Sequence, residues 1–191
     1  MTATAEAPVT SSEPDSAEPL RVEVIMGSVR QGRFGPVVTD WFVSKCAQRA
    51  DLRVGVVDLA EGTADLAERI GRADAVVVVT PEYNHSYPGP LKTAIDGVGV
   101  EWRGKPVAFV SYGGLSGGLR AVEALRVVFA ELHTVTVRDT VSFHLAHQRF
   151  TADGDAVDEA GTGAAATVLL DQLTWWARAL RAARARAPYG G

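Results

Sequence analysis

The run Ala75-Val76-Val77-Val78-Val79 limits most what this chain can fold into. Five apolar residues in a row cannot alternate between a wet and a dry face. They read as a strand buried on both sides, the habit of parallel sheets, and such a strand needs helices packed above and below it. The next residues, Thr80-Pro81-Glu82-Tyr83-Asn84-His85-Ser86-Tyr87-Pro88-Gly89-Pro90-Leu91-Lys92, leave the strand as a stiff, proline-rich loop and enter a helix. Open α/β sheets bind ligands in the crevice outside the carboxyl ends of their strands. A loop with an aromatic ring, a carboxamide and backbone donors suits the wall of a site for a flat ligand.

The rest of the chain repeats the alternation. Strands are expected at 22–26, 52–58, 75–79, 106–112 and 134–137. Helices are expected through Trp41 to about residue 49, then at 65–72, 88–96, 119–132 and 160–184. Five strands alternating with five helices predict an α/β protein: a doubly wound, five-stranded parallel sheet with helices on both faces. In the last helix Val168, Leu169, Leu173, Trp176 and Leu180 are expected to form its buried stripe. Arg178, Arg181, Arg184 and Arg186 are expected to solvate its end and complement its dipole.

Charge placement says more than the net charge of −4. Residues 1–20 hold Glu6, Glu13, Asp15 and Glu18 without Lys or Arg; removing those four acids from the 23 leaves 19 against 19 basic residues. The first 20 residues read as a disordered acidic tail, followed by one domain over 21–191. The tail is neither a secretory signal nor a transit peptide. No apolar run approaches the roughly 18 residues that span a bilayer. Cys46, the single cysteine, has no internal disulfide partner and reads as core. A cytoplasmic location follows by default. An electrically balanced body without a basic, aromatic-laced stripe speaks against nucleic-acid binding. The four histidines, His85, His133, His144 and His147, lack metal-ligand spacing, so no metal is expected. His85 reads as a surface residue, whereas His144 and His147, beside Phe143 and Phe150, read as the rim of a neighbouring site.

Two further loops follow strands. Gly27-Ser28-Val29-Arg30-Gln31-Gly32-Arg33-Phe34 opens the first helix. Helix N-termini attract anions, Ser28 and Gln31 can donate, and Arg30 and Arg33 can meet phosphate, often with paired hydrogen bonds. The alternative is a solvated turn carrying two surface arginines. The dinucleotide fingerprint G-x-G-x-x-G is missing, so Asp58 reads as a cap or turn residue rather than a ribose ligand. The third loop, Ser111-Tyr112-Gly113-Gly114-Leu115-Ser116-Gly117-Gly118, removes side chains where a planar ligand would lie against backbone.

The Pro-Glu-Tyr-Asn-x-Ser-x-Pro-Gly run at 81–89, with Leu-Lys-x-Ala-Ile-Asp at 91–96, resembles the flavodoxin-like NAD(P)H-dependent FMN reductases. Glu101-Trp102-x-Gly104-Lys105-Pro106 and Arg120-Ala121-Val122-Glu123-x-Leu125-Arg126 extend the resemblance over 21–150. It implies the strand order 2-1-3-4-5 and bound FMN, with NADPH or NADH as co-substrate. Hydride would pass to the flavin and then to a quinone, azo compound, flavin or other small acceptor, with no side chain needed as catalyst. Implied cofactor contacts are Ser28, Arg30, Gln31, Arg33 and Phe34; Pro81, Glu82, Tyr83 and Asn84; and Ser111, Gly113, Gly114, Ser116, Gly117 and Gly118. In this reading the amides of Glu82, Tyr83 and Asn84 meet flavin N5 and the pyrimidine edge, and glycine amides of the third loop meet the flavin carbonyls. A homodimer or homotetramer is implied, with the helix after Pro88 near the interface. Thr93 and Gly97 depart from the family pattern there. Alternatives are a non-enzymatic flavodoxin-type electron carrier and a specialised biosynthetic flavoenzyme with a dedicated substrate.

Overall fold

A computed structural model describes residues 18–190. Its elements run β1 (Leu20–Met26), α1 (Gly35–Ala47), β2 (Leu52–Asp58), α2 (Leu66–Arg72), β3 (Ala75–Pro81), α3 (Gly89–Asp96), β4 (Pro106–Tyr112), α4 (Leu119–Glu131), β5 (Val135–Phe143) and α5 (Glu159–Arg186). Short 3-10 turns cover Val100–Trp102 and Ala146–Gln148. The strands form one parallel sheet in the order β2-β1-β3-β4-β5. The expected acidic tail lies outside the described residues as far as residue 17, and its last residue, Leu20, already belongs to β1.

Every residue of β3 and β4 is buried, as continuous apolar runs require. The pleat divides them between two cores. Ala75, Val77 and Val79 meet Trp41 and Phe42 of α1 and Leu169 and Leu173 of α5. Val76 and Val78 face the opposite layer, where Ile70, Leu91, Ile95, Leu125 and Phe129 come from α2, α3 and α4. Period-2 alternation thus sorts one valine run onto two helical layers.

Three expectations need correction. The last strand reaches Phe143 rather than stopping at residue 137. Its register passes from Val107↔Thr136 to Phe109↔Thr140, so Val137, Arg138 and Asp139 stand against Ala108 alone. This bulge carries a polar interruption without ending the strand. Arg126 compensates it, donating through Nη1 to Val137 O and through Nη2 to Arg138 O, each at 2.8 Å. In α5 the buried stripe is Ala166, Leu169, Leu170, Leu173, Thr174 and Ala177, while Val168 is exposed. Its arginines do more than solvate the helix end. Arg178 meets Asp51 at 2.6 Å, and Asp74 lies 3.5 Å from Arg181 and 3.8 Å from Arg184. Asp51 and Asp74 directly precede β2 and β3, so α5 is pinned across the amino-terminal edge of the sheet.

The segment Glu101–Pro106 is structural. Trp102 is fully buried, and its indole Nε1 donates to Ile95 O at 3.1 Å. Gly104 takes φ +64°, a left-handed turn suited to glycine. Lys105, 4 % exposed, then donates its ammonium to the carbonyls of Ile70, Gly71 and Ala73 at 2.6, 2.8 and 2.6 Å. These carbonyls lie at the C-terminus of α2, the end of a helix that favours a cation; Ile70 O also accepts from Ala73 N at 3.1 Å. Burial lowers the Lys105 pKa to about 8, which leaves it charged at neutral pH.

Candidate functional site

Order reverses in this sheet between β1 and β3: one crossover runs outward to β2, the next inward to β3. Loops leaving those strands part at their carboxyl ends and leave a crevice. A cleft of about 400 Å³ lies there, within the range of small-molecule sites. Ser28, Arg30, Gln31, Arg33 and Phe34 line it from the first loop, Pro81, Glu82 and Tyr83 from the second, and Gly113 and Gly114 from the third.

Packing fixes the first loop. Gly27 donates to Val79 O at 2.9 Å, and a Cβ on it would stand 3.0 Å from Leu91 Cδ2 and 3.3 Å from that carbonyl. Glycine is therefore what lets the loop turn against β3 and α3. Ser28, 1 % exposed, shares a hydrogen bond of 2.7 Å with Tyr83 Oη. The Arg30 guanidinium covers the same ring, 3.6 Å from its centroid, a cation–π contact. Arg33 pairs with Asp58, whose other oxygen accepts from Ala60 N at 2.9 Å. Asp58 is thus a turn residue, as expected, and also the partner of Arg33. No side chain caps α1 at Phe34. Pro36 has no N–H, so the amides of Gly35 and Val37 are the ones this turn can offer an anion.

The second loop contains a tight reversal. Tyr83 and Ser86 exchange backbone hydrogen bonds of 2.8 and 3.1 Å, and the residues between, Asn84 and His85, have φ of +50° and +70°. Both positive angles are what a two-residue primed hairpin turn requires. Asn84 tolerates the left-handed region well, and His85 is exposed there, as expected for a surface residue. The amides of Glu82 and Tyr83 are given to Tyr112 O and Ser86 O, so they are not open to a flavin edge. Asn84 does not line the cleft.

Glu82 ties the second loop to the third. Its carboxylate accepts from Ser116 Oγ at 2.5 Å, from Arg120 Nη1 at 2.8 Å and from Arg120 N at 3.3 Å. Burial opposes its charge, but the hydrogen bonds from Ser116 and Arg120 outweigh it and hold the carboxyl below the ordinary range. Ser116 is a tether, outside the cleft lining. Ser111 is buried and donates to Gly117 O at 2.8 Å, and Gly113 donates to Phe143 O at 3.1 Å. Gly117 and Gly118 have φ of +61° and +86°. A Cβ on Gly118 would lie 2.7 Å from Ser111 Cβ and 2.9 Å from Tyr112 N. The last two glycines of this loop serve its own turn; Gly113 and Gly114 are the pair beside the cleft.

A fourth wall was not anticipated at this site. Leu145, Ala146, His147 and Gln148 line the cleft, held by Leu145 N on Gly114 O at 2.8 Å and Ala146 N on Gly113 O at 3.0 Å. The His147 ring lies 4.5 Å from that of Phe34, which also meets Phe150 at 5.5 Å. The rim expected around His147 therefore belongs to this same crevice. His144 instead bonds Leu115 O at 2.8 Å. The signal was the pair of histidines between two phenylalanines, but a strand ending at residue 137 hid that they follow a fifth strand end. Tyr112 was also missed as a lining residue. It ends β4, as the expected strand at 106–112 has it, and its side chain turns to the cleft from there.

The comparisons extend this geometry. The quinone reductase of Escherichia coli K12 is 33% identical over 141 residues, which cover 63% of this chain and 75% of that protein. The NAD(P)H-dependent FMN reductase of Schizosaccharomyces pombe is 33% identical over 120 residues, 51% of this chain and 60% of its own length. Among solved structures, the flavoenzyme NAD(P)H:(acceptor) oxidoreductase FerB of Paracoccus denitrificans superposes with a TM-score of 0.65 at 25% identity, covering 82% of this chain and 97% of that one. The family model described as NADPH-dependent FMN reductase matches residues 20–148, from the start of β1 to the 3-10 turn that closes the fourth wall. A match over that span of the chain settles its kinship: this protein belongs to the NADPH-dependent FMN reductase family.

Proposed function

We propose that this protein is an FMN-dependent oxidoreductase that takes hydride from NADPH or NADH and delivers it to a quinone or another small acceptor. The observation that carries the reading is the crevice at the β1/β3 reversal, bounded by the uncapped N-terminus of α1, on a chain whose family match spans all its walls. FMN fits the residues present. Buried Arg33 Nε and Tyr112 Oη have no hydrogen-bond partner within the described protein. Unpaired buried donors favour a polar, anionic ligand. The phosphate end belongs beside the first loop and the α1 N-terminus, and the ring belongs between Pro81 and Tyr83 on one side and Gly113 and Gly114 on the other.

When bound, FMN supplies the hydride chemistry. The protein binds, orients and shields. Phe34 and His147 form an aromatic flank, and the Glu82 tether fixes the spacing of two walls. Purified protein reconstituted with FMN should lose its visible flavin absorbance on anaerobic titration with NADPH or NADH, and a quinone should restore it. Protein that takes up no FMN, or flavin that neither nucleotide bleaches, would overturn the reading.

The proposal extends to assembly and location. A homodimer or homotetramer with α3 near its interface is what the family resemblance implies; Thr93 and Gly97 line a groove of about 660 Å³ on that side. Light scattering on flavin-loaded protein should give at least twice the mass of one chain; a fully active monomer would remove this part. The cytoplasm is proposed on the lone, buried Cys46. Among the described residues, no helix is long and apolar enough to cross a membrane. Fractionation that finds the protein outside the cytoplasm would remove the location.

A further inference from the structure

We propose that the Tyr112 hydroxyl is a phosphate ligand, donating to the phosphate end of FMN at the first turn of α1. The inference rests on the reading that the crevice holds FMN. Tyr112 ends β4 and is 5 % exposed, with its ring in the core shared by Trp41 and Phe143. Phenylalanine would serve that packing equally well, so the hydroxyl is what needs a reason. It is buried and has no hydrogen-bond partner among the described residues, a state that native proteins seldom leave uncompensated. Ser28 lies near enough to favour its ionised form, but no contact of hydrogen-bond geometry joins the two hydroxyls, and the 2.7 Å bond of Ser28 Oγ is the one it shares with Tyr83 Oη.

The direction of the hydroxyl identifies the ligand. A Cβ on Gly35 would stand 3.0 Å from Tyr112 Oη, which places that oxygen against the first residue of α1. Two residues earlier, Arg33 Nε is likewise buried and has no partner among the described residues. One neutral donor, one cationic donor and an uncapped helix N-terminus thus converge beside one cleft. Each favours an anion, and together they suit a phosphate better than a neutral edge of a ring. Burial also raises the phenol above its ordinary range, so it remains a donor throughout the working pH range. Arg33, with its other nitrogen tied to Asp58, supplies orientation and charge beside it.

The test compares apoprotein of wild type and Tyr112→Phe for FMN and riboflavin binding by flavin fluorescence, and for unfolding in urea without flavin. FMN should bind roughly 10- to 150-fold more weakly to the variant, as loss of one hydrogen bond to a charged group implies, with riboflavin within about twofold. The apo unfolding midpoint should stay level or rise, because the substitution removes an unpaired buried hydroxyl. Unchanged FMN affinity would overturn the proposal, as would parallel losses for both flavins. A lower apo midpoint, or a variant that fails to fold, would also overturn it, since the hydroxyl would then have a partner inside the protein. Wild-type protein that binds neither flavin would instead refute the functional reading itself.

Discussion

Replacing Lys105 by methionine should cost the fold about 3–5 kcal/mol in urea unfolding at pH 7, the sum expected when buried carbonyls lose a charged donor. Methionine matches the length of the stem but donates nothing. The carbonyls of Ile70, Gly71 and Ala73 would lose the ammonium now within 2.8 Å of each. Ile70 O would keep its bond from Ala73 N, but buried acceptors left bare cost roughly 1–3 kcal/mol apiece, and local water entry softens the sum. The lowered pKa does not argue otherwise. It says that burial disfavours the charge, whereas both protonation states still donate. A loss below about 1 kcal/mol, the usual effect of a point substitution, would show that these carbonyls are satisfied without Lys105.

Gly118→Ala should be about as damaging, roughly 3–5 kcal/mol, from a left-handed backbone and overpacking combined. At φ +86° an alanine is strained wherever space exists, and here there is none: its Cβ would press on Ser111 and on the backbone of Tyr112. The damage lies at the end of β4, so FMN affinity should fall with stability. Gly114→Ala provides the contrast. A Cβ there meets nothing within 4 Å and the backbone is not left-handed, so stability should change by less than about 0.5 kcal/mol. Equal effects at the two positions would sink the distinction between turn glycine and cleft glycine.

That distinction is invisible in sequence. Four glycines in one loop were equivalent on paper, because composition shows only that side chains are missing. Whether glycine is needed depends on what lies opposite: Ser111 and Tyr112 for Gly118, open space for Gly114. The amides of Glu82 and Tyr83 were free donors in the same sense until the tertiary fold gave them Tyr112 O and Ser86 O. Arg178, Arg181 and Arg184 looked like the solvated end of a helix until Asp51 and Asp74 came to meet them.

Local periodicity by itself determined the alternation of strands and helices and both valine-rich central strands. A run such as Ala75–Val79 has no polar face to expose and must be covered on both sides. The same logic placed three loops at the carboxyl edge, since parallel strands send every such loop to one end of the sheet. Only the tertiary structure decided how far β5 runs, because the bulge at Val137–Asp139 is stabilised by Arg126 from another element. That extension carries His147 into the crevice. It also took three dimensions to leave Tyr112 Oη beside α1 with no partner among the described residues, since whether a buried polar atom is satisfied depends on neighbours distant in sequence.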